Sequence, residues 1–227
     1  MPAILIVLVI LAFIGLAVLG WWMKEQRRKA LAAFAASRGL RFEAGHDAGL
    51  EDRFPDFDCL RRGSRRYGYN RLRGQWNGRE VLAFDYHYAT HSTDSKGRRK
   101  THHHHFSAVI LQANVPLRPL LIRPEGFFDK VKDFFGFEDI DFESAEFSRK
   151  FFVKSPDRKW AYDVLHTRAM QMLLDSPTFN LQFSGSHVIA SRSRTFSVAD
   201  FAAAAGVIEQ LLDGLPEYVV RQQTGRG

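Results

Sequence analysis

Apolar side chains run from Pro2 to Met23, PAILIVLVILAFIGLAVLGWWM, without one charged residue. About 20 such residues at ~1.5 Å rise each match a hydrocarbon core of ~30 Å. Trp21 and Trp22 close the run where indole rings favour the headgroup interface, and Lys24, Arg27, Arg28 and Lys29 follow at once. Residues 1–23 therefore read as a transmembrane anchor. A cleaved signal peptide is the competing reading, but no Lys or Arg precedes the run, and it is longer than the usual h-region of ~7–15 residues. Cations flank only its C-terminal side, which predicts a single-pass protein of the bacterial inner membrane with its C-terminal domain in the cytoplasm.

Beyond the anchor the period changes several times. KEQRRKALAAFAASRGLRF continues as a helix with a stripe of Ala30, Leu31, Phe34 and Ala35, stopped by Gly39. Asn77-Gly78 then joins RLRGQW to REVLAFDYHY as a hairpin. Alternation in the second strand puts Leu82, Phe84, Tyr86 and Tyr88 on a core face, and Val81, Ala83, Asp85 and His87 on the other. HHHFSAVILQANVPL reads as its partner across the polar loop STDSKGRRK, and RPLLIRPE as a short strand closed by Pro124. Phe127, Phe128, Val131, Phe134 and Phe135 recur at helical spacing. DIDFESAEFSRKFFVKS returns to strand character, PDRKWAYDVLHTRAMQMLLDSP reads as one helix, and TFNLQFSGSHVIASRS as a hairpin about Gly185. Ser197, with Asp200 three residues on, opens the last helix. Hairpins outnumber strand–helix–strand units, so the expected fold is α+β. One transmembrane helix precedes a mostly antiparallel sheet packed with about four helices, in a single domain over 24–220 with a disordered tail at 221–227.

Composition narrows the function classes. The 227 residues include 20 Phe and are 45% apolar, enough for a real core. The net charge of +7 suits an anionic surface, either lipid or nucleic acid. The anchor favours lipid and makes nucleic acid the weaker partner. A single cysteine, Cys59, makes no internal disulfide and fits a reducing compartment.

The motifs VLAFDYHY, LLIRPE, DIDFESAEFSRKFFV and DRKWAYDVLHTRAM resemble a bacterial family of short proteins with one N-terminal membrane helix and a soluble domain of uncharacterised function. The resemblance spans roughly Lys24 to Val220. It implies the anchored architecture and brings no activity, cofactor or catalytic residue with it.

Three constellations carry possible chemistry. In THHHHF, alternate histidines share a strand face, so His103 and His105 would meet His87 and His91 across the hairpin, with Asp85 on the same face. That set would take zinc or another divalent metal, which needs three or four ligands, with imidazole nitrogens at about 2.0–2.1 Å. A polar strand end is the simpler reading. Glu138, Asp139, Asp141, Glu143 and Glu146 form an acidic stretch that reads as a solvated edge, and Arg123, with Glu125 on the far side of Pro124, as a structural arginine forked onto Asp141 or Glu143. Arg61, Arg62, Arg65, Arg66, Arg71 and Arg73, with Lys154, Arg158 and Lys159, are candidates for one surface that binds anions. No phosphate-binding loop, dinucleotide turn or nucleophile elbow is present, so an enzyme is disfavoured. The leading reading is a membrane-anchored domain that binds a protein partner or anionic lipid headgroups. A metal-dependent enzyme or metal sensor using the histidines is the alternative, and an RNA-binding domain the second.

Overall fold

The computed structural model describes residues 2–125 and 139–224. The helix expected around Phe127–Phe135 lies outside them, as does Glu138.

Helix α1 (Pro2–Ser37) runs unbroken from the apolar segment into the domain. It is long and apolar enough to cross a membrane, with a mean hydropathy of 2.6 in its apolar window, and that window is bare of protein contact. Its last turns behave differently, because Leu31 and Ala35 are fully buried. The helix ends where Gly39 takes φ +67 and the Leu40 N–H returns to Ala35 O at 2.8 Å, the left-handed stop that glycine permits.

Six strands follow in one antiparallel sheet: β1 (Arg41–Glu43), β2 (Ser64–Trp76), β3 (Arg79–Thr93), β4 (Arg99–Pro124), β5 (Phe151–Lys154) and β6 (Asn180–Arg192). Their order is β1-β2-β3-β4-β5, with β6 also paired to β4. The helices are α2 (Leu50–Arg53), α3 (Ala145–Lys150), α4 (Arg158–Val164), α5 (Thr167–Asp175), α6 (Val198–Asp213) and α7 (Glu217–Thr224). The expected α+β class is the observed one, with seven helices among the described residues. Asn77 and Gly78 both take positive φ, as the tightest hairpin turn demands. Ser197 and Asp200 complete a reciprocal cap on α6.

Several local expectations change. Both faces of β3 are core: Leu82, Phe84 and Tyr86 pack with Leu50, Phe57 and Leu60, while Val81 and Ala83 pack under α1 and α6. The short strand at RPLLIRPE is the far end of β4, which is 26 residues long. SGS at 184–186 is a kink within β6, because both halves of that strand pair with β4 instead of with each other. The single helix expected from Arg158 to Asp175 breaks at His166. There the backbone turns extended and the ring caps α5, accepting from Ala169 N–H while its other nitrogen faces Gly214 O at 3.0 Å. Ala145–Lys150 is helical where strand was expected, although Asp139, Asp141 and Glu143 do alternate outward against buried Ile140 and Phe142. Residues 221–224, placed in a disordered tail, continue α7.

Candidate functional site: a buried carboxylate latch and a histidine face

Asp85 sits in the middle of an apolar strand and is completely buried. An isolated ionised carboxylate there would be prohibitively costly, so its partners define the site. Arg27 of α1 grips it with two bonds, Nε to Oδ2 at 3.1 Å and Nη2 to Oδ1 at 2.7 Å. Asn70 of β2 donates to Oδ2 at 2.9 Å, and Ser107 of β4 donates to Oδ1 at 2.5 Å. The remaining guanidinium nitrogen of Arg27 reaches Phe196 O at 2.6 Å, and Phe196 N–H donates to Ser107 Oγ at 2.8 Å. One carboxylate thus ties the anchor helix to β2, β3, β4 and the entrance of α6.

The same face continues outward as imidazole. The register pairs His87 with His105, Ala89 with His103 and His91 with Thr101. His87 Nε2 meets His103 Nδ1 at 2.9 Å, and its Nδ1 meets Arg65 O at 3.0 Å. His105 Nδ1 faces the Tyr69 hydroxyl at 3.1 Å. Burial, and then the nearby Asp85 charge, pushes the Tyr69 phenol far above its ordinary value, so it keeps its proton. Tyr67 stacks between His46 and His87, with ring centroids 4.2 and 4.6 Å away. Burial first, and then the His87 and His103 charges, hold His105 below the ordinary imidazole value.

Three of the expected metal ligands, His87, His103 and His105, therefore do come together. The full set does not assemble. Asp85 spends its oxygens on Arg27, Asn70 and Ser107, His87 and His103 point ring nitrogens at each other, and His91 lies further out against Thr101 at 3.1 Å. Among the described residues no group of three or more His, Cys, Asp or Glu is arranged to hold a metal ion.

The arginines and lysines expected to form one surface are divided and largely neutralised. Sheet order separates β2 from β5 by two strands. Arg66 pairs with Glu51, Arg71 and Arg73 with Asp47 and Glu43, Lys154 with Asp139, and Lys159 with Asp163. Arg61 reaches the Pro55 carbonyl, Arg62 lines a cleft, Arg65 is exposed beside the histidines, and Arg158 opens α4. That cleft, of about 470 Å³, lies on the opposite face of the sheet between Tyr88, His104, Phe106, Leu181 and Ile189. Cys59 lines it too, but burial pushes the thiol up to about 12 despite the nearby Arg62, so it is no nucleophile at neutral pH.

The Arg27–Asp85 pair, Asn70, Ser107 and the Tyr67–His46 stack escaped the sequence reading. The one signal available was the charge inside VLAFDYHY, which demands a buried cation from somewhere.

No family model matches the chain, and no curated protein does. Among solved structures, the crystal structure of the mycobacterial trehalose monomycolate transport factor A, TtfA, is similar to it. The two share 13% identity and a TM-score of 0.62, covering 83% of this chain and 93% of that one. The likeness is one of fold. The anchored layout expected from the motifs rests on α1 of this chain itself.

Proposed function

We propose that this chain is a non-enzymatic accessory protein of the bacterial inner membrane, whose cytoplasmic domain binds anionic lipid headgroups at the surface holding its anchor. The observation that carries this is the Arg27–Asp85 latch. It lies only four residues beyond the end of the apolar span, so the domain is held close to the bilayer instead of swinging on a linker. The basic balance supplies attraction to an anionic leaflet. The structural neighbour is named for lipid transport, and by analogy of fold we assign this chain to the same class of support for lipid movement.

Among the described residues every buried core side chain falls within 24–227, because that core begins at Leu31, so this segment serves as a soluble test protein. It is expected to sediment with vesicles containing phosphatidylglycerol at low salt and to be released by high salt. Binding indifferent to anionic lipid would overturn the reading. A reporter fused at Gly227 and active only in the cytoplasm is expected to give signal, and activity of a periplasmic reporter there would reverse the orientation.

A further inference from the structure

The β3–β4 hairpin outgrows the sheet. β2 pairs with β3 no further than Ala89, and β6 pairs with β4 no further than Ser107. From Thr90 to Thr93 and from Arg99 to Phe106 the two strands have only each other, and the chain from His91 to Thr101 is almost wholly exposed. A two-stranded ribbon standing alone in water is marginal. This one is nevertheless well made. Asp94 accepts from the backbone N–H groups of Lys96 and Arg98 at 2.9 Å each, and Gly97 takes φ +75. Thr90 pairs with His104 at 2.8 Å and Ser92 with His102 at 2.7 Å.

The direction in which it points follows from two contacts. Arg27 of α1 meets Asp85, and Arg38 stacks over Trp76 at 4.8 Å, where Trp76 pairs with Arg79. Going from 27 to 38 along α1 therefore means going from 85 back to 79 along β3. About 16 Å of helix matches about 20 Å of strand, so the two run nearly alongside. Continuing β3 from Asp85 to Thr93 thus leads towards the apolar span. That is about 26 Å of strand, against only about 6 Å of helix between Arg27 and Met23. That leaves about 20 Å of ribbon beyond the level of Met23, and since its cations cannot enter hydrocarbon cheaply, the excess length would have to turn along the headgroup layer.

What it carries there is charge. Between His91 and His102 the side chains include Lys96, Arg98, Arg99 and Lys100 against one carboxylate, Asp94, and no large apolar group. Asp94 is taken by Arg98, while Lys96, Arg99 and Lys100 make no ion pair among the described residues. On β2 and α4, by contrast, Arg66, Arg71, Arg73 and Lys159 are paired with carboxylates of the domain.

We infer that the free end of the β3–β4 hairpin is a membrane-docking arm, which lays Lys96, Arg98, Arg99 and Lys100 among anionic phospholipid headgroups of the bilayer that holds α1. This rests on the lipid-binding reading above and gives it a site. With no apolar wedge, the arm binds by charge alone, lies in the headgroup layer without entering the hydrocarbon, and is released by salt.

The test uses residues 24–227 and vesicles of phosphatidylcholine with and without phosphatidylglycerol. One variant changes Lys96, Arg98, Arg99 and Lys100 to Gln. A charge-matched control changes the exposed Arg149, Lys159, Arg168 and Arg221 to Gln. Both should melt like the parent protein, since none of these side chains is in the core. The arm variant is expected to lose vesicle partitioning by at least about ten-fold, while the control keeps most of it. Equal loss in both variants, or none in either, overturns the arm and leaves lipid binding to another surface. A parent protein that ignores anionic vesicles overturns arm and reading together, and so does one that binds single-stranded RNA but no vesicle.

Discussion

Asp85 shows how one side chain can organise a membrane-proximal domain. With its oxygens fully engaged, it stabilises only while all its partners remain. Asp85→Ala leaves the Arg27 guanidinium, Asn70 amide and Ser107 hydroxyl without their acceptor. Removing one partner of such a buried pair costs about 3–5 kcal/mol, which should appear as a lower urea midpoint with an unchanged slope. Much of that loss should return in Arg27→Met with Asp85→Leu, where no charge is left stranded. The imidazoles make a separate prediction. His91, His105 and His187 are all held below the ordinary imidazole value of about 6.5: His105 and His187 first by burial, His91 by partial desolvation and the charges of Arg99 and Arg65. The folded state therefore binds fewer protons than the unfolded one. Their contribution is fully present above about pH 6.5 and is lost as the pH falls below it. The melting temperature should drop between pH 7 and pH 5, and His105→Gln with His187→Gln should flatten that drop. At this scale the sequence was half legible. The face shared by His87, His103 and His105 follows from alternation alone. The partner of Asp85 does not, because 58 residues of chain separate it from Arg27 and no local period links them.

Elements were legible where a signal was local and obscure where pairing was distant. The Asn77-Gly78 turn, the Ser197 cap and the Gly39 stop each rest on a few adjacent residues, and each stands as expected. Gly185 carried the same kind of signal, yet it bends one strand. Both flanks of the kink pair with β4, at Ser107–Gln112 and Leu117–Ile122, and no pattern within 180–192 reveals that. The glycine is still required by the backbone, because its φ is +56. A Cβ there would meet no atom within 4 Å, so Gly185→Ala incurs only the left-handed penalty, about 1–2 kcal/mol. Thermal unfolding should shift accordingly with no change in fold. A loss several times larger would mean that the kink is packed against something. The break at His166 has a related origin. A helical apolar period runs through it, and the interruption is favoured by the ring's cap on Ala169 N–H together with its contact to the distant Gly214 carbonyl.

For the whole molecule, the boundary between anchor and domain falls inside a continuous helix, and the two halves of α1 obey different solvents. Residues 6–23 are almost wholly exposed and apolar, as a lipid-facing surface must be, whereas Leu31 and Ala35 belong to the same core as Val81, Val109 and Phe201. Two truncations separate these roles. Among the described residues, a chain beginning at Lys24 loses no buried side chain and keeps the Arg27 latch, so it should be soluble and fold cooperatively. A chain beginning at Leu40 loses Leu31, Ala35 and Arg27 together. Emptying one buried leucine site costs about 2–5 kcal/mol, and stranding Asp85 costs about as much again. Against a total stability of about 5–15 kcal/mol for an ordinary domain, that leaves little or nothing. The shorter chain should therefore aggregate or lose cooperative melting, although it removes only what looks like a linker. If it melted as the longer chain does, α1 would be a tether and the latch a decoration. The orientation of the arm towards the membrane would then lose its support, because that direction is read from α1 and β3 moving as one body.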